Sequence, residues 1–360
     1  MKIDTLDRIE GILLGTAVGD ALGLPMECMT PSTIQTLGWA NEWKHRFVMH
    51  RGMWSDDTEH SIMIAQSLLA SQGCVEKFRC AFAWELRWWL LGLPSGVGMA
   101  TARAIIKLWL GYSAKTSGVY SAGNGPCMRT AIIAAYFPND LSKRRSYTEV
   151  QATISHSDPK ATIAATGLTE LTALLLNSNS TPSAAEVLAT LARDDTHHCE
   201  EWNSICYAIE SAVSNRIEFS EFLTTIGIDP HKAISGYAYH TVPAVIYSGL
   251  VHNWDFESVV TEIIAAGGDT DTTAAIAGAL CGAHGGASSI PHHWIAGIAE
   301  CPTGISELKC LAKAIQSQSP LMVRSRWYPA LLLRNVFFLA VVLKHSFTRL
   351  LPNAIRARFS

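Results

Sequence analysis

Two short segments hold the residue types from which a chemical site can be built. Gly267-Gly268-Asp269-Thr270-Asp271-Thr272-Thr273 sets two carboxylates two residues apart, with hydroxyls between and after them, at the mouth of an Ala/Gly-rich helical stretch. Ser55-Asp56-Asp57-Thr58-Glu59 opens another helix nearer the N-terminus. Both offer only oxygen donors, the set that suits hard divalent cations such as Mg²⁺, Mn²⁺ or Ca²⁺. Asp, Ser and Thr are also the usual residues at helix starts, where they cap orphan N–H groups and complement the dipole. Asp56 followed by Glu59 fits a capping box. Gly267-Gly268 weighs toward a site, because paired glycines permit a tight turn and close approach of a ligand. If the two clusters meet in space, four aspartates converge, and their mutual repulsion calls for bound cations.

The elements that must carry these residues read as helices. Ile62, Ala65, Gln66 and Leu69 follow the first cluster with a period near 3.6, and 161–176, 184–191, 202–213, 259–265 and 274–283 show similar apolar periodicity. Alternating β-branched runs are almost absent, which argues against a β-rich fold. Breakers separate the units at Pro94-Ser95-Gly96, Gly123-Asn124-Gly125, Asn177-Ser178-Asn179-Ser180 and Asp229-Pro230. No internal repeat or clean linker divides the chain, so the expectation is an all-α, compact single-domain helical bundle. The segment 29–53 is polar and aromatic and separates Glu27 from Asp56; it reads either as a lid or as a plain surface connection.

The 360 residues are 48% hydrophobic and 16% charged, with a net charge of −3, which gives no reason to expect a nucleic-acid partner. Nine scattered cysteines without a C-x-x-C pair, and an N-terminus without an apolar signal region, lead to an expectation of reduced thiols and a cytoplasmic location. Cys28 and Cys127 read as small buried hydrophobes. The pairs His197-His198 and His292-His293 lack a second cluster at zinc-site spacing.

A third segment, Gly11-Ile12-Leu13-Leu14-Gly15-Thr16-Ala17-Val18-Gly19-Asp20-Ala21-Leu22-Gly23-Leu24-Pro25-Met26-Glu27, precedes both clusters. Gly123-Asn124-Gly125-Pro126-Cys127-Met128-Arg129 and Thr153-Ile154-Ser155-His156-Ser157-Asp158-Pro159 follow in order, and the last helix continues with Gly278, Gly282, Gly285 and Gly286. Taken together, these motifs resemble those of the ADP-ribosylglycohydrolase family, over roughly residues 8–315. The resemblance implies an all-α fold with a dinuclear Mg or Mn site held by Ser55, Asp56, Asp57, Asp269, Asp271 and Thr272. It implies catalytic roles for Glu27, Asp56, Asp57 and Asp271, with Glu27 as a metal-linked carboxylate or a general acid/base. Asn124, Gly125, His156 and Gly268 match substrate-contacting positions. Ser55 stands where Thr is more usual, and Pro126 removes a backbone donor from the loop. Asp20 reads either as part of the signature or as an acceptor of backbone hydrogen bonds; Arg129 reads as a partner for a carboxylate or for ligand. Tyr120, Tyr237 and Trp39 are candidates to stack on adenine.

The expected activity is metal-dependent hydrolytic removal of mono-ADP-ribose from a modified protein, with arginine as the acceptor and free ADP-ribose as product. Two alternatives remain at this point: a non-catalytic ADP-ribose-binding or immunity-type protein, and a hydrolase of another ADP-ribosyl or nucleotide N-glycoside. Beyond the expected domain, 1–320, the extension 321–360 carries seven Lys/Arg and no Asp or Glu around an apolar centre at 330–343. It is expected to form a helix that packs on the body, docks on a protein partner or lies at a membrane surface, and to be dispensable for chemistry.

Overall fold

The computed structural model describes residues 4–192, 199–229, 232–319 and 328–350. His197 and His198 lie outside these residues, as do 321–327 and 351–360 of the extension. Among the described residues the regular elements are helices, supplemented only by isolated β-bridges.

Two helices form the axis of the molecule, α1 (Thr5–Gly23) and α14 (Thr270–Gly285). Their contact is set by glycine. A Cβ added to Gly11, Gly15, Gly19 or Gly23 would lie 2.3, 2.1, 2.0 or 2.2 Å from the carbonyl oxygen of Gly282, Gly278, Ala274 or Thr270 respectively. Each step of four residues forward on α1 matches a step of four backward on α14, so the helices run antiparallel with their backbones in contact. Added methyls on Gly278 and Gly282 would meet the carbonyls of Gly15 and Gly11 at 2.1 and 2.0 Å, so the seam is reciprocal. No other residue type allows that approach. The stretch Thr5–Met26 is long and apolar enough to cross a bilayer, yet 94% of its most apolar window is buried within the protein.

Around this pair pack α3 (Asp56–Ser71), α8 (Pro159–Asn177), α12 (Ala238–Val251), α13 (Phe256–Ala265) and α16 (Ile305–Ser317). The boundaries follow local chemistry. Ser55 caps α3, which ends at Gln72 in the left-handed region; Asp158 caps α8 with Pro159 at its first position. A capping box of Ser183 and Glu186 starts α9 (Ala184–Leu191). The short α6 (Ala131–Tyr136) is buried throughout between α3 and α8, and an outer layer holds α4 (Val75–Leu91), α5 (Met99–Trp109), α7 (Leu141–Thr153), α10 (Glu200–Asn215), α11 (Phe219–Thr225) and α15 (His292–Gly297). Arg144 and Glu170 form a buried bidentate pair between α7 and α8, at 3.0 and 2.7 Å.

The segment 29–53 contains the short helix α2 (Pro31–Thr36) and two single-turn elements. Its Phe47 and Met53 are buried against Phe338 and Val341 of the last helix, α17 (Tyr328–Leu350). So the apolar centre of the extension is helical and lies on the body, while Leu333, Phe337 and Leu343 on its other side remain exposed.

Candidate functional site

The α1–α14 seam brings the end of the first glycine-rich helix against the start of the last one. Thr270 Oγ1 donates to Gly23 O at 2.8 Å, which locks that junction. One turn earlier on α1, the fully buried Asp20 organises the other acidic cluster. Its carboxylate accepts from Ser55 N (2.9 and 3.0 Å), Thr58 N (3.1 Å) and Thr58 Oγ1 (2.6 Å). Asp20 therefore tethers the start of α3 to α1. Burial pushes its carboxyl up to about 7 against these four hydrogen bonds. Ser55 Oγ donates to Asp57 Oδ2 at 3.0 Å, and it is Ser55, not Asp56, that caps the helix. The Asp56–Glu59 capping box is absent: Glu59 turns away to accept from Trp89 Nε1 at 2.5 Å.

The second cluster is held by glycine. Gly267 and Gly268 have φ of +71 and +88°, a region that disfavours a side chain. Gly268 N donates to Met29 O (2.8 Å), Cys28 N donates to Gly268 O (2.7 Å), and Asp269 N donates to Ile234 O (2.8 Å). This junction places Glu27 beside Asp269 and Asp271. Asp269 precedes α14 but makes no side-chain cap. Its carboxylate instead accepts from Asn124 Nδ2 at 2.7 Å, and the same amide reaches Thr241 Oγ1 at 3.0 Å. Asn124, expected to contact substrate, thus orients an acidic residue.

The two clusters meet: Thr272 Oγ1 donates to Asp57 Oδ2 at 3.3 Å. Asp56, Asp57 and Asp271 are held well above the ordinary carboxylate range, first by burial and then by the neighbouring carboxylates; Asp271 feels Glu27 most among them. Asp57 Oδ1 and Asp271 Oδ1 are buried without a hydrogen-bond partner. Among the described residues no three His, Cys, Asp or Glu side chains form a metal cage by themselves. The candidate donor set is therefore mixed, with the hydroxyls of Ser55 and Thr272 completing the carboxylates. Hard, oxygen-only donors, two orphaned carboxylate oxygens and an excess of buried negative charge fit divalent cations.

Glu27, Asp56, Asp269, Asp271 and Thr272 line a cleft of about 600 Å³. Its other wall comes from the first turn of α5 with the glycines before it (Gly96, Gly98) and from loops around Gly123–Gly125 and Ile234–Gly236, together with His156 and Gly268. Within the Gly123–Met128 loop, expected to contact substrate, Asn124 N donates to Gly236 O, and Cys127 N and Met128 N donate to Asn124 O, so these three amides have partners inside the protein. Gly125 faces the His156 ring: an added Cβ would lie 2.9 Å from its Cε1. Burial and the Arg129 guanidinium hold His156 down to about 3, so its ring is neutral. Its Nδ1 is 2.9 Å from Ser155 Oγ, which accepts from Arg129 Nη2 at 2.5 Å. Arg129 is completely buried and binds neutral acceptors, Gln151 Oε1 at 2.7 Å and His60 Nδ1 at 2.8 Å, not a carboxylate. Tyr120 and Tyr237 flank this region without lining the cleft, and Trp39 lies against His345 and Arg46.

The structure thus brings together all the expected site residues: Glu27, Ser55, Asp56, Asp57, Asn124, Gly125, His156, Gly268, Asp269, Asp271 and Thr272. His292 and His293 stand exposed at the start of α15. Sequence reasoning missed the Asn124–Asp269 bond, the Gly96–Thr101 wall and the Arg129–Ser155–His156 relay. Only the glycines of the wall left a visible trace.

The ADP-ribosylglycohydrolase family model matches residues 1–322. The chain is 30% identical over 298 residues to an uncharacterized protein of Archaeoglobus fulgidus, covering 81% of this chain and 92% of that one. It is 28% identical over 304 residues to the ADP-ribosyl-[dinitrogen reductase] glycohydrolase of Rhodospirillum rubrum (80% and 89% covered). It is 27% identical over 303 residues to the ADP-ribosylarginine hydrolase Tri1 of Pseudomonas putida (82% and 75%). A solved ADP-ribosylglycohydrolase-related protein complex superposes with a TM-score of 0.62 at 25% identity, covering 88% of this chain and 99% of that one. With the helical architecture, the glycine seam and the paired acidic clusters in place, this chain belongs to the ADP-ribosylglycohydrolase family.

Proposed function

We propose that this protein is a metal-dependent hydrolase that removes mono-ADP-ribose from arginine side chains of modified proteins. The observation that carries the reading is the junction of the two acidic clusters, bridged by Thr272 and Asp57, at the floor of a cleft large enough for a nucleotide-sized ligand. The names of the Rhodospirillum and Pseudomonas relatives favour a protein substrate and, for the latter, an arginine linkage.

In the proposed reaction the C–N bond between the ribose anomeric carbon and the guanidine nitrogen breaks through an oxocarbenium-like state. Water supplies its oxygen to the anomeric carbon, and one of its protons ends on the leaving guanidine. Ser55, Asp56, Asp57, Asp269, Asp271 and Thr272 would hold two Mg²⁺ or Mn²⁺ ions, which supply orientation of the ribose hydroxyls and acidification of water. Glu27, at the cleft edge beside Asp271, takes or delivers the proton. Asn124 keeps Asp269 in place, and Asp20 keeps the start of α3 in place. Neutral His156 offers Nε2 to the ligand as a hydrogen-bonding group, not as a titrating acid or base.

The test is release of free ADP-ribose from defined arginine-linked and serine-linked peptides, with Mn²⁺ and with chelator. Metal-dependent release from the arginine-linked peptide alone is expected. Release from neither, with Mn²⁺ bound, would instead make the protein a binding module.

A further inference from the structure

Helix α17 lies beyond the residues matched by the family model, and sequence reasoning assigned its region no part in the chemistry. Its contacts point elsewhere. The Arg334 side chain is buried, and its fork reaches three acceptors outside α17 in addition to the neighbouring Asn335 Oδ1 at 3.0 Å. Nε and Nη2 donate to Glu300 at 2.9 and 2.5 Å, Nη1 donates to Glu59 Oε1 at 3.2 Å, and Nη2 donates to Trp54 O at 2.6 Å. Glu300 Oε1 in turn accepts from Trp54 N at 2.9 Å. Both polar groups of the Trp54 backbone are thereby fixed, directly before Ser55-Asp56-Asp57. Glu59, the third partner, lies one turn further along α3.

The other end of α17 holds the segment that carries Glu27. Phe338 and Val341 pack on Leu24, Phe47 and Met53. His345 Nε2 is 3.1 Å from Pro25 O, and its ring meets Phe47 edge-on at 5.3 Å. Leu24–Met26 is the single turn that leads into Glu27. One helix therefore touches both segments that deliver carboxylates to the cleft. Asp20 reaches the start of α3 from the inside, and Arg334 reaches it from the outside.

We propose that α17 is a clasp for the hydrolytic site and that Arg334 is a positioning residue, fixing Trp54 and through it Ser55, Asp56 and Asp57. The proposal rests on the metal-dependent reading above. An arginine suits the task because its planar guanidinium sets five donors in a fixed fork, whereas a lysine offers three donors on one flexible point charge.

The experiment uses the full chain with Arg334→Gln, Arg334→Lys and Phe338→Ala, and Arg144→Gln as a control that breaks a buried ion pair elsewhere. Mn²⁺ affinity is read by EPR, backbone exchange by hydrogen–deuterium mass spectrometry, and kcat separately from KM, all below each variant's Tm. Arg334→Gln is expected to weaken Mn²⁺ binding by roughly 10–100-fold, as loss of an outer-sphere partner does, and to raise exchange at 54–59. Arg334→Lys, which keeps the charge between Glu59 and Glu300 and with it the fold, is expected to fall between wild type and Arg334→Gln. Phe338→Ala is expected to raise exchange at 24–29 and lower kcat with Mn²⁺ affinity unchanged. Arg144→Gln is expected to lower Tm alone. If both Arg334 variants lose Tm as Arg144→Gln does, yet keep wild-type Mn²⁺ affinity, kcat and exchange at 54–59, the clasp is wrong and the hydrolase reading stands. If wild type itself binds no Mn²⁺, both fall.

Discussion

Gly11→Ala and Gly23→Ala apply nearly the same insult at opposite ends of the α1–α14 seam. The added methyl would lie 2.3 Å from Gly282 O in one case and 2.2 Å from Thr270 O in the other. An ordinary carbon–oxygen contact is about 3.3 Å, so each change forces the backbones apart locally by about 1 Å. No flexible side chain is available to yield. Overpacking of this kind costs about 1–3 kcal/mol, against about 1 kcal/mol gained because alanine is the better helix former. Both variants should lose up to about 2 kcal/mol in urea unfolding, opposite in sign to helix propensity. The sites are 12 residues apart, about 18 Å along the helix. Only Gly23 adjoins Asp271, whose N would lie 2.8 Å from the new methyl. A 1 Å error there is expected to lower kcat/KM about 100-fold, while Gly11→Ala stays near wild type when assayed below its Tm. Equal activity losses in the two, or full activity in Gly23→Ala, would refute the idea that the seam sets the spacing of the clusters.

Two further outcomes are expected. His156 has a folded pKa of about 3 against 6.5 in the unfolded chain, so unfolding takes up a proton between these values and stability is lost as pH falls from about 6.5 toward 3. His156→Gln should flatten that acid limb in pH-dependent urea titrations, and wild-type His156 should show no NMR titration between about pH 5 and 8. Arg8 Nη1 donates to Leu175 O and Leu176 O at 2.7 and 2.8 Å, closing the end of α8; Arg8→Ala should cost about 1–3 kcal/mol in thermal unfolding with Mn²⁺ affinity unchanged.

The helices were legible where apolar periodicity is strong: the stretches read at 161–176 and 274–283 lie inside α8 and α14, and 184–191 coincides with α9. Family motifs marked the acidic clusters, and the structure brings them together. Pairing across the fold was not legible. The i, i+4 glycines of α1 are visible in the chain, but their partners lie some 250 residues away, and nothing local encodes the antiparallel match. Asn124 carries an amide that suits substrate or protein equally; only the fold shows it turned toward Asp269 and Thr241. Arg129 follows the same logic, because an arginine in a motif suggests a charged partner, whereas its burial among Gln151, His60 and Ser155 shows a cation held by neutral groups. Arg334 did leave a sign, a single charge inside an apolar run, but its three acceptors outside α17 sit on two distant segments and a separate helix.

The proposed function requires the Asp57 and Asp271 clusters to act as a single cation site. Anomalous diffraction from crystals grown with Mn²⁺ tests it most directly. The predicted result is manganese within about 2.0–2.6 Å of Asp57 Oδ1 and of Asp271 Oδ1, as one ion or as two ions about 3.5–4 Å apart, lost in Asp57→Asn and Asp271→Asn crystals of unchanged fold. Manganese bound elsewhere, or carboxylates of the two clusters more than about 10 Å apart with the ion present, would contradict it.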